Sequence, residues 1–99
     1  MQMELDILGY QVKVKKVSAL KDKNGVPVDA EYISEPPTIR IDSKLRGKRY
    51  VHALVHEIFH AVTDIVGAHN CQISHDLEEI LADNMGRVMG DNFELRGRK

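Results

Sequence analysis

With a single cysteine, Cys71, the 99-residue chain cannot form an internal disulfide. It has no apolar run long enough to span a membrane, and its first residues, Met1 to Asp6, are acidic and lack the pattern of a signal peptide. Nor is there an excess of charge of one sign: 14 Lys and Arg stand against 15 Asp and Glu, which argues against a general polyanion binder. These absences predict a cytoplasmic protein with neither membrane nor nucleic acid among its partners. A hydrophobic content of 42% suits one modest core, hence a single domain over 1–99 whose stability would draw on any metal it binds.

Against this spare background, five histidines are a notable supply, and two of them fall in His56-Glu57-Ile58-Phe59-His60. This is the H-E-x-x-H pattern, in which two imidazoles hold a zinc ion and the glutamate between them handles protons. On a helix a four-residue step turns about 40° and climbs about 6 Å, so His56 and His60 can converge on one ion. His52 and Asp64 extend the same stripe by one turn each way, giving the pairs His52/His56, His56/His60 and His60/Asp64. Helix over eight residues spans about 12 Å, too far for one ion to use all four. The residue after the first ligand is Ala53, Glu57 or Ala61, so the middle pair alone carries a base. Val51, Leu54, Val55, Ile58, Val62, Ile65 and Val66 recur at helical spacing, and Gly67 stands where a left-handed cap is expected, which predicts a helix over about 48–66.

Tetrahedral catalytic zinc needs a third protein ligand and one open position. A second helix is predicted over about 76–89, with Ser74 or Asp76 as its N-cap and an apolar stripe of Leu77, Ile80, Leu81, Met85 and Val88. Roughly opposite the stripe lie Glu79, Ala82, Asp83 and Gly86. Glu79 and Asp83 are like charges four apart, which disfavours a lone helix unless something cationic is near. Ala82 and Gly86 are small enough to let this helix approach the first.

Taken together, these residues resemble the gluzincin metallopeptidases, in which H-E-x-x-H is followed about twenty residues later by a glutamate ligand on a second helix. Glu79 follows His60 by nineteen. Glu79-Ile80-Leu81-Ala82-Asp83 is similar to the glutamate-x-x-x-aspartate pattern of that group, which implies Glu79 as third ligand and Asp83 as the partner that orients His56. Glu78 and His75 are next in line should the third ligand lie elsewhere. Within the group the chain most resembles the ImmA/IrrE-type enzymes of bacteria and their mobile elements. There, too, short strands and a basic segment precede the zinc helix, as in Thr38 to Asp42 and Lys44 to Arg49. The likeness covers about residues 28–90. The chain departs from the family in having Asp83 where asparagine is frequent and Phe59 where glycine is frequent, and in lacking room for an added sensing region.

Ahead of the helices the chain reads as a β-rich part over 1–42, a small antiparallel sheet of about three strands. Tyr10, Val12 and Val14 alternate with polar residues, Asp22-Lys23-Asn24-Gly25 is turn chemistry, Val28, Ala30 and Tyr32 alternate again, and Ile39 and Ile41 face inward on a strand after Pro36-Pro37. The expectation is therefore an α+β fold, with the helical zinc-binding part at 43–90 and a tail at 91–99. His69, Cys71 and His75 match no common structural zinc spacing and read as a polar loop, though His75 can also steady an oxyanion. Tyr32 and Tyr50 are further candidates for that task or for the core. Lys44, Arg46, Lys48 and Arg49 read as a solvated basic run.

The resemblance implies a peptidase with one zinc per chain on His56, His60 and Glu79, Glu57 as general base and a protein or peptide as substrate. A zinc-containing regulatory or interaction protein without proteolytic activity, for example a toxin-antitoxin or repressor partner, would use the same ligands without needing Glu57. A metal-free interaction module would need neither. The oligomeric state leaves no signature in the sequence.

Overall fold

A computed structural model describes residues 2–67 and 74–92. Its elements are β1 (Gln2–Ile7), β2 (Tyr10–Val17), β3 (Ala30–Ser34), β4 (Pro37–Asp42), α1 (Gly47–Ile65) and α2 (His75–Asn92). The class is α+β, but the sheet corrects the expectation twice. It has four strands rather than about three, in the order β1-β2-β4-β3, and it is mixed: β2 runs parallel to β4 while the outer pairs are antiparallel. The additional strand is β1, in which Met3, Leu5 and Ile7 alternate with Gln2, Glu4 and Asp6. It turns into β2 through Leu8 and Gly9, both at positive φ, the two-residue hairpin geometry that fits strand twist.

Inward-facing Ile7, Val12, Val14, Ile39 and Ile41 form one face of the core, and α1 covers it with Leu54 and Ala61, backed by Ile58, Val62 and Ile65. The end of β4 is tied down by Asp42, whose carboxylate accepts the amides of Leu20 (3.0 Å) and Lys44 (3.0 Å). The Lys44 amide bond, reinforced by that from Leu20, holds the Asp42 carboxyl below the usual carboxylate range despite its burial. Helix α1 ends as expected, with Gly67 at φ 69° and its amide bonded to Asp64. Ser74 caps α2 through its hydroxyl to the Leu77 amide (3.1 Å). His69 and Cys71 lie outside the described residues, as does the chain beyond Asn92.

Helix α2 packs on α1 rather than on the sheet. It does so through Glu78, Ala82, Gly86 and Gly90, all buried, while Leu77, Ile80, Leu81, Met85 and Val88 are between 41 and 58% exposed. The small face, not the apolar stripe, is thus the one that docks. The approach is close: a Cβ on Gly86 would lie 2.5 Å from His52 Cδ2 and 2.7 Å from the His52 carbonyl oxygen, and one on Gly90 would lie 3.0 Å from the Lys48 carbonyl oxygen. The two helices run antiparallel, because Glu78 meets His60, Asp83 meets His52 and Gly90 meets Lys48. Gly86→Ala should test this contact. Alanine favours a bare helix by about 1 kcal/mol, but overpacking against a backbone carbonyl costs about 1–3 kcal/mol, so urea unfolding should show a net loss of stability. A stabilised variant would mean that the helices stand further apart.

Candidate metal centre

Because α1 buries Leu54 and Ala61 against the sheet, its His56/His60 stripe is turned towards α2. There the antiparallel pairing places Glu79 between the two rings. His56 Nε2 is 3.2 Å from Glu79 Oε1, His60 Nε2 is 3.3 Å from Glu79 Oε2, and the two Nε2 atoms are 3.2 Å apart. Ligands held at about 2.0 Å around a tetrahedral ion are separated by about 3.3 Å. The two histidine nitrogens stand at that edge, and each is at a like distance from a different oxygen of Glu79. The structure therefore brings His56, His60 and Glu79 together as a set able to hold a metal ion. The charge pattern agrees, since burial and the neighbouring His60 lower the pKa of His56 and so favour the neutral ring whose lone pair can ligate.

Around this set the carboxylates are arranged differently from the expectation. Asp83, expected beside His56, makes its hydrogen bond to His52 Nε2 (3.1 Å) and an ion pair to Arg87. The carboxylate that fixes a ring of the set is Glu78, only 4% exposed, which bonds His60 Nδ1, the nitrogen turned away from Glu79. Burial disfavours the charged form of His60, but Glu78, Glu57 and Glu79 outweigh it and raise the pKa. A carboxylate behind a ligating imidazole fixes its tautomer and strengthens it as a ligand. Sequence reasoning weighed Glu78 only as a substitute ligand. The signal that would have found its role is register, since in an antiparallel pair the residue before Glu79 faces the later histidine.

Glu57 sits beside the set, 8% exposed and held by a backbone hydrogen bond from Tyr32 on β3. Burial raises its pKa to about 7, with Glu79 adding to the rise and His60 and the Tyr32 bond opposing it. A cation at the histidines would draw it back towards the carboxylate, the form that accepts a proton. In front lies a cleft of about 530 Å³ whose walls include His56, Glu57, His60, His75 and Glu79 from the helices and Ala30, Glu31, Tyr32 and Ser34 from β3. Tyr32 donates to Asp64 Oδ2 (2.8 Å) on the rim, and His75 lies 3.8 Å from Glu79. Tyr50 stands elsewhere, its ring under Lys16, and Arg49 pairs with Asp29.

No protein-family model, curated protein or solved structure matches the chain. The candidate site thus rests on its own geometry. His56→Ala, His60→Ala and Glu79→Ala should each lower zinc affinity by more than the roughly 10 to 100-fold expected of an outer partner, and Glu78→Gln should fall within that range. His52→Ala should leave affinity unchanged in an otherwise intact chain. Competition against a chromophoric chelator measures all of these. Full affinity in Glu79→Ala would move the third ligand elsewhere.

Proposed function

We propose that the protein is a zinc-dependent peptidase acting on an extended segment of a protein or peptide. One observation carries the reading: a buried carboxylate, Glu57, lines the same cleft as His56, His60 and Glu79, whose ligand atoms fall within 4.8 Å of one another, and strand β3 forms part of the wall. Of the divalent ions that His₂Glu sets hold, zinc is the best fit to two imidazoles, one carboxylate and an open fourth position. When bound, it supplies the Lewis acidity that makes water a nucleophile near neutral pH and polarises a carbonyl group.

The chain's own residues supply the rest. Glu57 takes a proton from the water as its oxygen forms a bond to the peptide carbon, then delivers that proton to the departing amine as the C–N bond breaks. One water is consumed, and a carboxylic acid and an amine result. Glu78 keeps His60 in the tautomer whose Nε2 lone pair faces the centre. Strand β3, unpaired on its outer side among the described residues and contributing Ala30, Glu31, Tyr32 and Ser34 to the cleft, offers its backbone to an added strand of substrate. That mode holds a substrate mainly by its main chain, which suits a protein segment better than a small molecule.

Glu57→Gln separates catalysis from metal binding. The amide keeps the shape but cannot accept the proton, so one zinc per chain and a chelator-sensitive melting temperature should persist while cleavage of peptide-library substrates falls by roughly 10² to 10⁴-fold. Undiminished cleavage would rule out Glu57 as the base. Loss of zinc would make it a ligand. Zinc binding by the unaltered chain without cleavage of any extended peptide would leave a metal-binding regulatory protein instead.

A further inference from the structure

A second group of ligating side chains lies one helical turn towards the start of α1. His52, His56 and Asp83 present ligand atoms that all fall within 4.8 Å of one another. We propose that these three residues form a second seat for the same divalent cation, exclusive of the first because both need His56. The proposal rests on the reading above only for the identity of the first seat.

Three features make this seat a built one. His52 Nε2 and Asp83 Oδ1 are 3.1 Å apart, close to the roughly 3.3 Å edge of a tetrahedral zinc shell. The other oxygen of Asp83 is held by Arg87 Nε at 3.0 Å, so the carboxylate is oriented from behind with Oδ1 left facing the histidine. The His52 ring is pinned against α2 where residue 86 has no side chain, since a Cβ there would lie 2.5 Å from Cδ2. A separate cleft of about 290 Å³, lined by Asp29, Arg49, His52, His56 and Asp83 among others, gives an ion access from solvent. His56 and Glu57 form a wall common to both clefts.

Charge decides which seat is preferred. The first is surrounded by the carboxylates of Glu57, Glu78 and Glu79, whereas the second has Arg87 on its own carboxylate, and the Asp29 of its cleft is paired with Arg49. A cation therefore favours the first seat and uses the second when the first is impaired. A cation in the second seat takes His56 away from His60 and Glu79, so it is held without serving the first site. Stoichiometry stays at one ion per chain.

Cobalt(II) titration of the apo full-length chain, read by its visible absorption and by competition with a chelator, tests this. Glu79→Ala, chosen because Glu79 is half-exposed, should still bind one equivalent, more weakly than the unaltered chain. Adding His52→Ala or Asp83→Ala to it should weaken binding by at least a further tenfold or so, the least that loss of even an outer partner costs. Helical circular dichroism of each variant verifies folding, and His60→Ala provides a second background with the same expectation. Double variants that bind as tightly as Glu79→Ala and His60→Ala alone would overturn the second seat. Unchanged affinity in both single variants would instead overturn the first, a separate outcome.

Discussion

The close approach of α1 and α2 is the constraint on which the site depends. His56, Glu57 and His60 all stand on α1, but Glu79 meets the two rings only because α2 comes in against their turn of the helix. Ala82, Gly86 and Gly90 permit this, with the Gly86 backbone against His52 and Gly90 against the Lys48 carbonyl. A helix bearing larger residues on that face would be held further away, and Glu79 would fall short of the two rings. What α2 buries is mostly small or polar, so the helix pair gains little from apolar area. Its larger apolar side chains are exposed. A cation bridging His56 and His60 to Glu79 would join the two helices where their packing is thinnest, and binding free energy of that kind is also folding free energy.

The acidic side chains around the rings follow from the same contact. Three glutamates meet two histidines in a small volume, and each has a different neighbour: Glu57 the Tyr32 backbone, Glu78 the rear nitrogen of His60, Glu79 both front nitrogens. Without a cation, Glu57 and Glu79 oppose each other, and part of that opposition appears as the raised pKa of Glu57. The arrangement places negative charge where a divalent cation would neutralise it. One turn away, the arginine on Asp83 moderates the same pattern.

Much of this was legible in the chain. Helix α1, its glycine cap, the serine cap of α2 and the small docking face all follow from local rules, and the residues chosen as ligands do come together. Strand β1 was equally legible in its alternation of Met3, Leu5 and Ile7 with polar and acidic residues. Parallel pairing of β2 with β4 was not legible, because β4 inserts between β2 and β3 and nothing local in either strand records that. The partner of Asp83 is more instructive. In an antiparallel pair, four residues forward on one helix correspond to four backward on the other. Once Glu79 spans His56 and His60, Asp83 must fall at His52 and His56, and Glu78 at His60. The family likeness supplied a pairing with His56 where register supplied one with His52.

The proposed centre holds one zinc ion by two histidines and one glutamate with a position left open. X-ray absorption at the zinc edge of the zinc-loaded protein measures this most directly. The expected spectrum is a shell of about four nitrogen and oxygen atoms near 2.0 Å with the outer scattering of two imidazoles, unchanged in His52→Ala. A sulfur scatterer near 2.3 Å, which only Cys71 or a methionine can supply, or the signal of a single imidazole, would contradict it.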